Sequence, residues 1–160
     1  MSAAILAAAI IAIHPFIPAD RAGIYASLIL TNAEQFKVDP LIVAARISVE
    51  TRYHWDQISR TKDYGLMQLH VSKTTRPAWL GFEKALLEPS LNIHLGVKAL
   101  KMWKRYHKTK CKGEHPWWLH YKYGTRVPAK GTARSQKVMH KYLRLFRKWT
   151  ARRGRSRTES

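Results

Sequence analysis

Acid–base catalysis by a carboxyl needs surroundings that favour its neutral form, and with ten Asp and Glu among 160 residues this chain offers few candidates. Glu50 stands out by position. Val43 and Ile47 lie seven and three residues before it, so a helix through this stretch puts all three on one face. Burial beside those side chains disfavours charge on the carboxyl, and the negative end of the helix dipole acts in the same direction. Such a group can protonate a leaving oxygen, the first step in breaking a glycosidic bond. On position alone, a solvated residue at a helix end would be the better reading. Glycosidases that work with two carboxyls hold them ~5 Å or ~6.5–9.5 Å apart. The nearest partners in sequence are Asp56, in a polar loop between Trp55 and Gln57, and Asp63, in the turn before Gly65. Neither is an obvious second catalyst. His107, Cys111 and His115 are spaced loosely like metal ligands, but their stretch is Lys-rich and no closing pair of standard spacing follows. No metal site and no cofactor is expected.

The elements that must position these groups read as helices. Asp20 can cap a helix carrying Ile24, Leu28 and Ala33 that ends near Phe36. Asp39 as N-cap and Pro40 at the first helical position start a second helix, reaching about Thr51. Arg52 to Tyr64 reads as a loop leading into a turn at Gly65, with Leu66 to Val71 extended and a short helix from Ser72. Leu91, Leu95, Leu100 and Trp103 recur at helical intervals from Pro89 to about His107. A last helix runs from about Thr132 to Ala151 with a stripe of Val138, Tyr142, Leu145 and Trp149. The fold class is therefore mainly α, with at most a small β element. The apolar segment within residues 1–18 is too short to span a membrane, which takes ~17–25 residues. Its length suits either a secretory signal or a core-packed helix, though no basic residue precedes it. The domain proper is assigned to residues 19–151, and residues 152–160 to a basic disordered tail.

Four short patterns turn this outline into a resemblance. Asp39 to Glu50 resembles the catalytic helix of the soluble lytic transglycosylase family, whose fold is that of goose-type lysozyme. Gly65-Leu66-Met67-Gln68 resembles the family's Gly-Leu-Met-Gln motif, and Asn92-Ile93 followed by Gly96 its Asn-Ile-x-x-Gly helix start. His120-Tyr121-Lys122-Tyr123-Gly124 resembles a degraded form of its Ala-Tyr-Asn-x-Gly motif, with Lys122 in place of Asn. All four occur in the family's order. The resemblance implies a lysozyme-like single domain in which Glu50 is the one catalytic acid and base. It implies that Tyr121 reaches the carboxyl or the reacting sugar, and that Thr51 stands where the family usually has Ser. Ser59, Gly65, Met67, Gln68 and Asn92 would bind substrate. The implied reaction opens the MurNAc-β-1,4-GlcNAc bond of peptidoglycan and closes a 1,6-anhydro ring on MurNAc; lysozyme-like hydrolysis, with Asp56 or Asp63 positioning a water, is the alternative.

The formal charge of +19 gives the surface long-range attraction for polyanions. Between Arg126 and Arg157 there are twelve Lys or Arg and no acid, on a helix with an apolar stripe. That pattern fits a solvated face, and also docking to an anionic wall polymer or membrane surface. A nucleic-acid-binding module shares the electrostatic footprint, but no helix-turn-helix, zinc-finger or RNP pattern accompanies it, so nucleic acid is not expected as a partner. The substrate implies action in the periplasm or outside the cell, or delivery by a phage, and a monomer is expected; small basic members of the family serve phage lysis, virions and secretion machines. Of Trp103, Tyr106, Trp117, Trp118, Tyr121 and Tyr123, one or two are expected to line a cleft and the rest to fill the core.

Overall fold

Local capping sets the helix boundaries in the computed structural model, which describes residues 1–75, 77–111, 115–128 and 132–155. Helix α1 (Ala3–Ile13) starts where Ser2 Oγ accepts from the Ile5 N–H. Helix α2 (Ala19–Phe36) follows Pro18 and ends at Lys37, in the left-handed region at φ 56°. Asp20 does not cap it: the helix begins one residue earlier, so this carboxylate lies in the first turn, where it favours the positive end of the dipole. The buried face of α2 is Ala22, Tyr25, Ala26, Ile29 and Ala33, whereas Ile24 is exposed. Helix α3 (Pro40–Glu50) starts as its sequence dictates, with Asp39 Oδ1 accepting from Leu41 N–H at 2.8 Å.

Strands β1 (Asp63–Tyr64) and β2 (Leu69–His70) form a small antiparallel hairpin, pairing Asp63 with His70 and Tyr64 with Leu69. Among the described residues, extended pairing is limited to this hairpin and an isolated bridge between Ile58 and Tyr64, because Gly65–Gln68 is used up by the turn. The helix expected from Ser72 is absent; two 3-10 segments, Pro77–Trp79 and Glu83–Leu87, follow instead. Helix α4 (Pro89–Lys110) runs three residues beyond His107, its basic last turn suiting the negative end of the dipole. A 3-10 turn at Trp117–Leu119 leads into the single-turn α5 (His120–Tyr123). Helix α6 (Ala133–Arg155) outlasts the expected end at Ala151; the remainder of the predicted tail, residues 156–160, lies outside the described residues.

Helix α1 packs on α2 and α6, α3 on α2 and α6, and α4 on α2. One core joins Leu6 and Ile10 of α1, Ile29 of α2, Val43 and Ile47 of α3, Leu100 of α4 and Phe146 of α6. On α6 the fully packed residues are Met139, Leu143 and Phe146, one step round from the half-buried Val138, Tyr142, Leu145 and Trp149. Burying a Leu or Ile is worth ~1.5–3 kcal/mol, so Leu6 and Ile10, both 0% exposed, make α1 a substantial part of this core. A second cluster of Tyr64, Leu69, Val71 and Leu86 lies under the hairpin.

Candidate active site

Helix α3 carries Glu50 to its C-terminal end, anchored by Val43 and Ile47, both 0% exposed. The Glu50 side chain, 22% exposed, opens into a cleft of about 1050 Å³ that is also lined by Gln68, His70, Trp103, Trp118 and Tyr121. One turn earlier on the same helix, the buried Arg46 donates from Nη1 to Glu50 Oε1 at 2.9 Å and from Nη2 to the Trp118 carbonyl at 2.8 Å. Its guanidinium stands 5.1 Å from the centre of the Tyr121 ring, in cation–π range. Only Oε1 of Glu50 is engaged among the described residues, and Oε2 is left to the cleft.

The floor beside Glu50 is a set of mutually dependent backbone contacts. Gly65 has φ 69°, and a Cβ there would come within 2.6 Å of the Leu86 carbonyl and 2.5 Å of Asn92 Nδ2. Glycine is required both by the backbone angle and by the space. Asn92, 0% exposed, accepts from Met67 N–H at 2.8 Å and donates to the carbonyls of Tyr64 at 2.8 Å and Leu86 at 2.6 Å. A Cβ on Gly96 would collide with the Met67 side chain, so α4 can approach the turn only with glycine there. Thr51 Oγ1 donates to the Leu66 carbonyl at 3.1 Å, and Tyr121 OH to the Met67 carbonyl at 2.9 Å. The turn is thereby tied to α3, α4 and α5 together.

Residues 27–126 match the family model for the transglycosylase SLT domain. The chain belongs to this family. No curated protein matches it. The SLT match runs from within α2 through the cleft to Arg126, leaving α1 and α6 to pack against it from outside. The mainly α architecture with its two-strand sheet is that of a lysozyme-like SLT domain, and the protein is a peptidoglycan-degrading enzyme of lytic transglycosylase type, acting on the cell wall.

Within the SLT domain the predicted site residues divide into two sets. Glu50, Gln68 and Tyr121 line the cleft. Thr51, Met67 and Asn92, each 3% exposed or less, and the buried Gly65 are not among the lining residues. Their hydrogen bonds and close contacts hold the turn. The half-buried Ser59 is engaged within its own loop: its hydroxyl donates to Asp63 Oδ2 at 2.7 Å and accepts from the Asp63 N–H at 3.0 Å. Gln68, in the left-handed region at φ 49°, reaches the cleft while donating to the carbonyls of Gly65 and Gln57. Lys122, which replaces the family's Asn, reaches Ser135 Oγ at 3.2 Å at the start of α6. Three of the six aromatics singled out from the sequence, Trp103, Trp118 and Tyr121, line the cleft.

Asp63 is the other carboxylate in the cleft lining, while Asp56 is exposed outside it. Burial pushes the Asp63 carboxyl up, but hydrogen bonds from Thr61, Ser59 and His70 outweigh it and hold the group below its ordinary range. Sequence reasoning missed Arg46. The available signal was its spacing of four from Glu50 on an otherwise apolar helix, the separation at which side chains of opposite charge meet.

Proposed function

We propose that Glu50 alone provides acid and base for non-hydrolytic cleavage of the MurNAc-β-1,4-GlcNAc bond. Its protonated carboxyl gives a proton to the glycosidic oxygen as the bond from MurNAc C1 breaks. The carboxylate then takes the proton of the MurNAc C6 hydroxyl, whose oxygen bonds to C1 and closes the 1,6-anhydro ring. The carboxyl is regenerated and no water enters. The observation that carries this reading is the divided carboxyl of Glu50, with Oε1 fixed by Arg46 and Oε2 left to the cleft. Arg46 acts as a positioning residue, and Tyr121 borders the sugar while bracing the turn through Met67.

Hydrolysis is the second reading, favoured by the presence of Asp63 in the same cleft with its carboxyl held in the charged form. Against it, both Asp63 oxygens are occupied, Oδ1 by His70 at 2.9 Å and Oδ2 by Ser59 and Thr61. Mass spectrometry of fragments from purified peptidoglycan separates the two. Anhydromuropeptides, retained in Asp63→Asn and lost in Glu50→Gln, are expected; reducing-end products lost in Asp63→Asn would establish hydrolysis. The exposed basic residues of α6, among them Lys137, Lys141, Arg144 and Lys148, are assigned to docking on an anionic wall polymer or membrane surface. Among the described residues no helix is long and apolar enough to cross a membrane.

A further inference from the structure

Four side chains that the glycan chemistry does not use meet where α4 ends and α5 begins. His107 and Cys111 are one turn apart at the end of α4, His115 follows in the connection, and His120 opens α5. Their donor atoms all lie within 4.8 Å of one another. Around His120 Nε2 stand His107 Nδ1 at 3.4 Å, Cys111 Sγ at 3.4 Å and His115 Nε2 at 3.2 Å.

The ring of His120 is fixed from the other side. Its Nδ1 is 2.7 Å from the Gly124 carbonyl, which can only accept, so Nδ1 carries a proton and Nε2 is the ring nitrogen available to a cation. Trp103 stacks on this ring at 5.6 Å and Tyr106 meets it edge-on at 5.2 Å. Three donor atoms converge on this one ring nitrogen, the arrangement in which a cation among the four atoms can be bound by their lone pairs. Tetrahedral zinc with bonds of ~2.0–2.1 Å to nitrogen and ~2.3 Å to sulfur sets donor atoms about 3.3–3.6 Å apart. The three separations at His120 Nε2 approach that spacing. The histidine–carbonyl bond is also the usual outer support of a zinc-bound imidazole.

We propose that His107, Cys111, His115 and His120 form a structural zinc site. One thiolate, three imidazoles and no carboxylate select zinc over magnesium or calcium. Four protein ligands leave no open position for water, so the ion is structural and takes no part in bond cleavage. It clips the end of α4 to α5 one residue before Tyr121, and so secures the wall of the cleft opposite Glu50's helix. The sequence reading set the site aside for want of a closing ligand pair. His120 supplies the missing fourth ligand, and it comes into place only because the 3-10 turn and α5 fold back onto α4.

The test is native mass spectrometry and metal analysis of the full chain, reconstituted with zinc alone and desalted, alongside Cys111→Ser and His115→Ala. Neither variant removes a core residue, and circular dichroism checks that both fold. Expected are one zinc per wild-type chain and an affinity reduced more than about 100-fold in each variant, since losing even an outer-shell partner costs ~10–100-fold. Cobalt in place of zinc should give a tetrahedral visible spectrum with a sulfur-to-metal band that Cys111→Ser abolishes. A folded wild type that retains no zinc, or zinc held equally by the wild type and both variants, would overturn the proposal.

Discussion

The two walls of the cleft are held in different ways. On the α3 and hairpin side, the turn at Gly65–Gln68 is secured by neutral hydrogen bonds to a fully buried amide and by close approach at two glycines. On the α5 side, the backbone is held by charge and by imidazoles: Arg46 grips the Trp118 carbonyl, and His120 sits among the three other side chains of the proposed zinc site. The first wall is set by packing and tolerates almost no change of shape. The second rests on contacts of a buried charged side chain and of imidazoles that are distant in sequence.

The sharpest way to break the first wall is Asn92→Ala. Three backbone partners lose their bonds at a site with no access to water, and each unsatisfied group costs ~1–3 kcal/mol. With partial relaxation, a loss of about 3–5 kcal/mol is expected in urea denaturation. Activity should fall with the folded fraction.

Arg46→Met probes the second wall at its link to the first. Charged hydrogen bonds contribute ~1.5–3 kcal/mol, and methionine keeps most of the packing volume, so destabilisation of about 2 kcal/mol is expected. The larger effect should be on turnover. Losing the clamp on Glu50 should lower kcat by at least about tenfold, as misplacement of a catalytic group does, while KM changes little. An equal fall in kcat for Asn92→Ala at matched folded fraction would erase the proposed distinction between the walls.

The smallest effect belongs to His14, which supports α3 from beneath by a 2.9 Å hydrogen bond to Ser48 Oγ. Burial, with help from Arg52 and His54, lowers its pKa to about 4 from the ordinary 6.5. The unfolded chain therefore takes up the proton first as pH falls. The His14 contribution should be constant above pH 6.5, decline between 6.5 and about 4, and level off below that. Denaturation midpoints measured across this range should fall less steeply in His14→Gln than in the wild type.

The difference between the walls also explains what could be read in the sequence. Asp39-Pro40, Gly65 and Gly96 announce themselves because a cap, a positive φ and a close approach each demand a particular residue type at a fixed spacing. The α3 and hairpin wall was legible for that reason. Helix existence was legible too, from the apolar repeats of α3 and α4, although the ends of α4 and α6 and the buried face of α2 were displaced by packing that local patterns do not encode. Of the α5 wall, Tyr121 was legible through its motif, and the contacts that hold the wall were not. Arg46 and Trp118 are 72 positions apart, and His120 joins its partners only through the fold-back of α5. For Asn92 and Met67 the motif identifies the residue without stating which way it faces, and their contacts with each other come only with the fold.

The most direct test of the central claim is the product spectrum from purified peptidoglycan for the wild type and Glu50→Gln at equal folded concentration. The account predicts 1,6-anhydromuropeptides from the wild type and a rate reduced by at least about 10²–10⁴-fold in the variant, the range attributed to a single general acid–base group. Anhydromuropeptides released at comparable rates by Glu50→Gln would contradict it.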